Sequence, residues 1–213
     1  MHFGILFDLD GTLLDTLGDI HGAVNYTMRR FGLPEKTREE VRSAIGHGVL
    51  HILEKVSEGT GADPQELVQV YKPYYDAHCL DTTAPYPGVM EMLNTLSARY
   101  PVAVVSNKLD DQTKAICSRF FPGVYALGQR DGIPVKPAPD MLHIAMKELG
   151  ISRGVFVGDS DTDVLSAKNA GLPCLSVLWG FQDREYLQSV GATCFCQTAE
   201  DILKWMENYE HGQ

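Results

Sequence analysis

Short apolar runs alternate along this chain with segments whose apolar residues recur at helical spacing, and this alternation constrains the fold more than any other feature. Alternating strands and helices favour a mostly parallel sheet covered by helices on both faces. The predicted strands are residues 3–7, 102–105, 124–127, 155–157, 174–177 and a shorter run at 194–196. The predicted helices are residues 89–99, 112–120, 139–149, 162–170 and 199–209. Because ligands of such folds bind at the carboxyl ends of the strands, polar residues there are candidate site residues.

The interval 15–83 breaks this alternation, because it contains only helical patterns. Thr37 and Glu40 have the spacing of a capping box, and Asp63 followed by Pro64 is typical of a helix start. Four later residues fall on one helical face and are interpreted as core packing, namely Leu67, Tyr71, Tyr74 and His78. We therefore expect a helical insertion at 15–83 between two parts of one α/β core, residues 1–14 and 84–213.

Composition excludes several classes of partner. With 18 Lys and Arg against 28 Asp and Glu, the formal net charge is −10, so no basic surplus exists to neutralise nucleic-acid or anionic-membrane phosphates. No stretch approaches the roughly 18 consecutive apolar residues of a membrane span, and the first residues lack the pattern of a secretion signal. The five cysteines include no Cys-x-x-Cys pair and are interpreted as buried free thiols. We expect a cytoplasmic protein with no nucleic-acid or membrane partner, whose oligomeric state does not follow from the sequence.

Two acids follow the first predicted strand, in the string Asp8-Leu9-Asp10-Gly11-Thr12. Positions i and i+2 of a strand point to the same side, so Asp8 and Asp10 are aimed together, and Gly11 allows a sharp turn just past them. Two carboxylates this close repel each other unless a cation lies between them or one keeps its proton. The pair predicts a metal site, an acid/base pair, or both, although a strand that ends in an acidic turn has the same pattern.

Further polar groups follow three later strands. Ser106 and Asn107 offer a hydroxyl, an amide and backbone N–H groups to phosphate oxygens. Lys136 precedes a proline-stiffened segment, which pre-positions a point charge for a phosphate. Asp159, with Asp163 four residues on, is a candidate ligand for Mg²⁺, which prefers a few carboxylates with waters and phosphate oxygens. Each pattern alone also fits an ordinary turn, a surface lysine or a helix N-cap.

In this order, these motifs resemble those of the haloacid dehalogenase-like superfamily, most of whose members are phosphatases. The string Asp8-Leu9-Asp10-Gly11-Thr12-Leu13-Leu14-Asp15-Thr16 is similar to the first motif, and the resemblance extends to the strand past Gly171-Leu172-Pro173. It implies a Rossmann-like parallel-sheet core with an inserted α-helical cap that closes over the site.

The resemblance also implies a role for each residue that reacts or binds phosphate. Asp8 is expected to be the nucleophile, which forms an aspartyl-phosphate, and Asp10 the general acid/base. Ser106 and Asn107 are expected to bind the transferring phosphoryl group, and Lys136 to neutralise its charge and that of Asp8.

A magnesium site is implied in the same way. Asp8, the backbone carbonyl of Asp10, and Asp159 are expected to bind Mg²⁺ as the cofactor. Asp163 and Thr12 are expected to support this set, and direct metal binding by Asp163 stays open.

The predicted cap contains Ile45-Gly46-His47-Gly48, in which Gly46 and Gly48 would let backbone approach a small ligand. His47 is either a substrate contact or an exposed loop histidine. Four segments resemble the phosphoglycolate phosphatase branch, namely Asp19-Ile20, Gly46-x-Gly48, Tyr86-Pro87-Gly88 and Trp179-Gly180-Phe181. The expected substrate is therefore 2-phosphoglycolate or a similar small phosphorylated acid.

Other functions share parts of this pattern. Relatives that act on pyrophosphate or nucleotides have much of it. Sugar-phosphate mutases keep both acids but carry a histidine four residues past the position of Thr16, where this chain has Ile20, followed by His21. A non-catalytic phosphate-binding protein is disfavoured, because binding alone requires neither a nucleophile nor an acid/base.

Overall fold

The structure, a computed structural model, describes residues 2–211, so the outer ends of the predicted core, at residues 1 and 212–213, lie outside it. The strands are β1 His2–Phe7, β2 Leu14–Asp15, β3 Ala84–Pro85, β4 Val102–Leu109, β5 Tyr125–Gln129, β6 Ile151–Gly158, β7 Cys174–Val177 and β8 Phe195–Cys196. The helices are α1 Leu17–Arg30, α2 Arg38–Arg42, α3 Val49–Val56, α4 Pro64–His78, α5 Val89–Ser97, α6 Asp110–Phe120, α7 Asp140–Glu148, α8 Asp161–Ala170, α9 Arg184–Ser189 and α10 Ala199–His211. The predicted α/β architecture is thereby confirmed.

Six of the strands form one parallel sheet in the order β5-β4-β1-β6-β7-β8. Strand β1 lies at its centre, and its last residue, Phe7, pairs with Val104 of β4 and Val157 of β6. The chain segments that leave the carboxyl ends of β4, β1 and β6 therefore meet at one edge of the sheet. The segments after β1 and β6 carry Asp8, Asp10 and Asp159. Ser106 and Asn107 lie within β4, which extends past the predicted end at residue 105, and Lys136 lies between β5 and α7.

Both faces of the sheet are covered, which explains why β1 is an almost unbroken apolar run. Ile5 and Phe7 are fully buried in the larger apolar cluster, which includes residues of α1, α5 and α10. Leu6, which points to the opposite face, is buried with residues of α7, including Met141. The buried part of β1, from Gly4 to Phe7, thus supports the residues that follow it.

Helices α1 to α4 lie between the two short strands β2 and β3. These strands pair antiparallel, with Leu14 opposite Pro85 and Asp15 opposite Ala84, so the two ends of the helical segment are held side by side. The domain boundaries at 14/15 and 83/84 stay a prediction. Among the described residues, no helix is both long enough and apolar enough to cross a membrane.

Several local predictions are confirmed and others are corrected. The capping box of Thr37 and Glu40 and the N-cap Asp63 are present. The buried residues of α4 are Leu67, Tyr71 and Tyr75. Tyr74 is partly buried and packs against the same apolar cluster, as predicted, whereas the prediction missed Tyr75 and was wrong for His78, which is only partly buried and lies outside that cluster.

Two further differences concern short elements and cysteines. Strands β2 and β3 and helix α9 lack a periodic pattern long enough to be found in the sequence. All five cysteines are free thiols, as predicted, but Cys174 and Cys194 are only partly buried.

Candidate active site

Asp8 is the first residue after β1 and lies almost fully buried in the middle of the site. Its backbone N–H donates to the carbonyl of Val157 in the neighbouring strand (2.8 Å), which fixes its position along the sheet edge. Gly11 has φ +83°, a conformation that side chains rarely adopt, and its N–H donates to the carbonyl of Leu14 (2.9 Å). Asp10, which directly precedes this turn, lines the same cavity as Asp8.

Lys136 lies beneath Asp8 and is 2% exposed. Its Nζ is 2.8 Å from Asp8 Oδ1 and 2.6 Å from Asp163 Oδ1, so one buried ammonium joins two buried carboxylates. Burial alone would lower the pKa of Lys136, but the charges of Asp163 and Asp8 raise it above its ordinary value. Lys136 is therefore a fixed positive charge beside Asp8 at any physiological pH.

Asn107 holds Lys136 in place through a pair of hydrogen bonds. Its Oδ1 accepts from the Lys136 backbone N–H, and its Nδ2 donates to the Lys136 carbonyl, both at 2.9 Å. The same Nδ2 lies 2.9 Å from the carbonyl of Gly46, in the segment between α2 and α3. The amide of Asn107 thus joins two backbone segments around the site, while Ser106 lines the cavity beside it.

Asp159 is the first residue after β6 and is 1% exposed. Its Oδ2 accepts from the Phe181 backbone N–H (2.7 Å), and its Oδ1 accepts from the Thr12 hydroxyl (3.1 Å). Burial and the charges of Asp163 and Asp8 raise the pKa of Asp159 well above its ordinary value. Burial, followed by the charge of Asp163, likewise raises the pKa of Asp8 to about 7, although Lys136 opposes this shift.

Asp163 is fully buried, and its two carboxylate oxygens have different partners. Oδ1 accepts from Lys136 (2.6 Å), and Oδ2 accepts from the backbone N–H groups of Asp159 (3.1 Å) and Ser160 (3.0 Å) and from the Ser160 hydroxyl (2.6 Å). Asp163 is thus placed to orient Lys136 and the start of α8.

The acidic residues suit a divalent cation. Asp8, Asp159 and Asp163 each offer an oxygen, and these oxygens lie within 4.8 Å of one another. Because two of these carboxylates have strongly raised pKa values, a cation between them would relieve the repulsion that burial makes costly. An all-oxygen set of this kind matches the preference of Mg²⁺. Asp8, Asp159 and Asp163 are therefore the candidate side-chain ligands of a cation.

A cavity of about 560 Å³, part of which is open to solvent, lies over these groups. Residues of the core line one side of the cavity, and Gly46 and Gly48, from the helical segment, line the other side. Gly48 has φ +89°, and a Cβ there would lie 3.2 Å from the Asn107 carbonyl, so this loop approaches the core closely. His47 is not among the lining residues; its Nε2 lies 3.3 Å from Asp161 Oδ1.

The sequence interpretation assigned no role to Lys108, which lines this cavity, or to Tyr75, which contacts Lys108. Lys108 Nζ lies 3.1 Å from Asp10 Oδ2 and donates to the Tyr75 hydroxyl (2.9 Å). The other oxygen of Asp10, Oδ1, is buried without a hydrogen-bond partner among the described residues. Lys108 is two positions past Ser106 on the same strand, and this spacing would have indicated that both point to one side.

Comparison with known proteins is consistent with this geometry. The family model described as haloacid dehalogenase-like hydrolase matches residues 5–177. The chain belongs to this family.

Two curated relatives are similar to it over most of their own length. A phosphoglycolate phosphatase of Caulobacter vibrioides is 35% identical over 94% of this chain and 89% of its own, and one of Aquifex aeolicus is 33% identical over 96% and 97%. A crystal structure from Lactobacillus delbrueckii subsp. bulgaricus, provisionally named phosphoglycolate phosphatase, has a TM-score of 0.86 at 33% identity and covers 93% of this chain and 95% of its own. This haloacid dehalogenase-like hydrolase is therefore an enzyme of the phosphatase class.

Proposed function

We propose that this chain is a Mg²⁺-dependent phosphomonoester hydrolase that acts through an aspartyl-phosphate on 2-phosphoglycolate or a similar small phosphorylated acid. One observation carries the proposal: two carboxylates in one cavity have different cationic partners. Asp8 is paired with Lys136, whereas Asp10 is paired with Lys108 and keeps one oxygen without a partner among residues 2–211. Acids in such different environments are suited to different tasks in one reaction.

The first half of the reaction forms a bond to Asp8. A carboxylate oxygen of Asp8 attacks phosphorus, and the bond between phosphorus and the ester oxygen breaks with its electron pair on that oxygen. Asp10 gives its proton to the departing alkoxide through the carboxyl oxygen that has no protein partner. Lys136 stabilises the negative charge that spreads over the phosphoryl oxygens, and Ser106 donates to one of them.

The second half hydrolyses the aspartyl-phosphate. Asp10, now a carboxylate, takes a proton from a water molecule while that water's oxygen attacks phosphorus. The bond between phosphorus and Asp8 breaks, which releases inorganic phosphate and restores both acids to their starting protonation.

Asp8, Asp159 and the Asp10 carbonyl would hold Mg²⁺. A cation there supplies Lewis-acid charge that favours the ionised form of Asp8 and offsets the charge of the phosphate. Thr12 and the Phe181 backbone keep Asp159 oriented toward this position. Asp163 keeps Lys136 and the start of α8 in place.

The names of the relatives support a small substrate. The relatives from Caulobacter vibrioides and Aquifex aeolicus are named phosphoglycolate phosphatases. In contrast, Ile20 lines the cavity where mutases of this family place a histidine, and His21 Nε2 lies 2.9 Å from the Lys36 carbonyl instead.

The proposal is tested by measuring Mg²⁺-dependent phosphate release from 2-phosphoglycolate, pyrophosphate, a nucleoside monophosphate and hexose phosphates. We expect kcat/KM for 2-phosphoglycolate to exceed the others by about a hundredfold, which corresponds to roughly 2.7 kcal/mol of transition-state discrimination. Asp8→Asn should reduce release at least about 10⁴-fold, because the nucleophile is lost.

The control variant is Asp81→Asn, which changes the same functional group outside the cavity, where Asp81 contacts His78. It should leave kcat/KM unchanged. A flat, slow substrate profile would contradict the proposed substrate but not the hydrolase. Phosphate release that persists in Asp8→Asn would contradict the mechanism.

A further inference from the structure

Lys108 is a cation in the cavity wall that the proposed chemistry leaves without a task. It lies at the end of β4, its side chain is 7% exposed, and it is the only cationic side chain among the described residues that line the cavity. Burying an ammonium is costly unless it is paired, and Asp10 supplies that pairing for Lys108.

The partners of Lys108 place its ammonium close to the leaving group. Its Nζ is 3.1 Å from Asp10 Oδ2, and Asp10 is the residue proposed to protonate the ester oxygen. A group attached one carbon away from that oxygen therefore lies within reach of the same ammonium. An ammonium has three N–H donors, and Asp10 and the Tyr75 hydroxyl take two of them among the described residues. One donor is left for a ligand.

Among the described residues that line the cavity, no side chain besides Lys108 offers a positive charge to a second anion. The helical segment contributes apolar side chains there, namely Ile20, Ile45, Val49 and Ile52. Asp8, Asp10 and Asp159 would repel an anion that lacked a cationic partner. A substrate carboxylate thus has one favourable position in this cavity, beside Lys108.

Tyr75 keeps that position fixed. It is fully buried on α4, and Lys108 Nζ lies 4.5 Å from the centre of its ring as well as 2.9 Å from its hydroxyl. Helix α4 thereby holds the Lys108 side chain in one orientation before the substrate binds. Less conformational entropy is then lost when the substrate binds.

We propose that Lys108 binds the carboxylate of the substrate, through a charge-assisted hydrogen bond, and so selects phosphate esters whose leaving group carries a negative charge. This inference rests on the proposed function, since it names the residue that recognises the acid part of the substrate. Lys108 is a specificity-determining residue here, and its other contact, with Asp10, is not the basis of the selection.

The test compares 2-phosphoglycolate with ethyl phosphate, in which a methyl group replaces the carboxylate. The quantity measured is the ratio of their kcat/KM values in the wild type, in Lys108→Met and in Lys114→Met. Lys114 is an exposed lysine of α6 that pairs with Asp110, so its variant makes the same change of charge outside the cavity. Circular dichroism and thermal unfolding show whether each variant is folded.

We expect Lys108→Met to lower the ratio about tenfold to a hundredfold, which is the usual effect of losing a hydrogen bond to a charged group. Lys114→Met should leave it unchanged. Equal losses on both substrates would overturn the inference, because they would mean that Lys108 acts only by positioning Asp10. In that case the preference of the wild type for 2-phosphoglycolate would still support the proposed function.

A wild-type ratio near one would overturn both the proposed substrate and the proposed role of Lys108.

If Lys108→Met is too slow to assay, the binding of 2-phosphoglycolate and of ethyl phosphate is measured by calorimetry in the Asp8→Asn background, with and without Lys108→Met. Lys108→Gln replaces the methionine variant if that protein does not fold. The inference is supported if the Lys108 substitution weakens the binding of 2-phosphoglycolate but not that of ethyl phosphate. It is overturned if 2-phosphoglycolate binds equally well with and without the Lys108 substitution.

Discussion

Asp159 occupies a space that two glycines leave open. A Cβ at Gly11 would overlap the Asp159 carboxylate and lie 2.8 Å from the Phe181 ring, and a Cβ at Gly180 would overlap the Asp159 side chain. Both glycines are thus required by close approach, and the Gly180 position brings the Phe181 N–H to its bond with Asp159. The absence of a side chain at these two positions therefore determines where the carboxylate oxygens of Asp159 can lie.

Gly180→Ala should therefore weaken metal binding. We expect the half-saturating Mg²⁺ concentration for phosphate release to rise about tenfold or more, since displaced supports of a ligand have effects of that size. The control is Gly22→Ala, because a Cβ at Gly22 in α1 meets nothing within 4 Å. Unchanged Mg²⁺ dependence in Gly180→Ala would contradict the assignment of Asp159 as a ligand.

At the scale of elements, one acid fastens the helical segment to the core. Asp19, near the start of α1, is 5% exposed and accepts from the backbone N–H groups and the hydroxyls of both Thr82 and Thr83, just before β3. The segment by which the chain enters the helices and the segment by which it leaves them are thereby hydrogen-bonded to each other. Ile20, the next residue, lines the cavity, so this joint also positions part of its wall.

Asp19→Ala should lower the free energy of unfolding by about 2 kcal/mol, because buried donors lose their acceptor and Thr82 remains partly solvated. Urea-induced unfolding measures this. Asp15→Ala is the matched control, since Asp15 accepts one hydrogen bond, from the Leu17 N–H, and should cost less than about 1 kcal/mol. Equal effects of the two variants would contradict the special role of Asp19.

The elements that could be predicted from the sequence are those whose hydrophobic pattern extends over several residues. Strand β7 has the predicted bounds, and the other sheet strands differ only at their ends, because apolar runs buried on both faces have few other interpretations. Helix α9 has six residues and a single buried one, Leu187, so its periodicity could not be detected. Strands β2 and β3 have two residues each, and pairing between distant segments defines them.

At the scale of the whole molecule, the site depends on strand order. Residues of the site that follow strands were found from the sequence, because parallel strands bring their carboxyl ends to one edge. The contact of Lys108 with Tyr75 was not found, since it depends on how α4 lies against the core. Which side of α4 faces Lys108 is a property of packing and not of the local sequence.

Cation binding should stabilise the whole fold, since the acids that can hold Mg²⁺ come together only in the folded chain. At a Mg²⁺ concentration about 100 times the dissociation constant, we expect a gain of roughly 2.7 kcal/mol and a rise in Tm of about 5–10 °C, measured by calorimetry. Asp159→Asn should remove most of this shift. An equal rise in that variant would place the stabilising ion elsewhere.

The central position of β1 also has a consequence for synthesis on the ribosome. Its neighbours in the sheet, β4 and β6, begin at Val102 and Ile151, long after His2–Phe7 has been made. At about 5–20 residues per second, the apolar β1 waits on the order of 5–20 s for its first partner strand. During that interval the helical segment emerges first, and a nascent chain paused before Val102 would present an unpaired strand to chaperones.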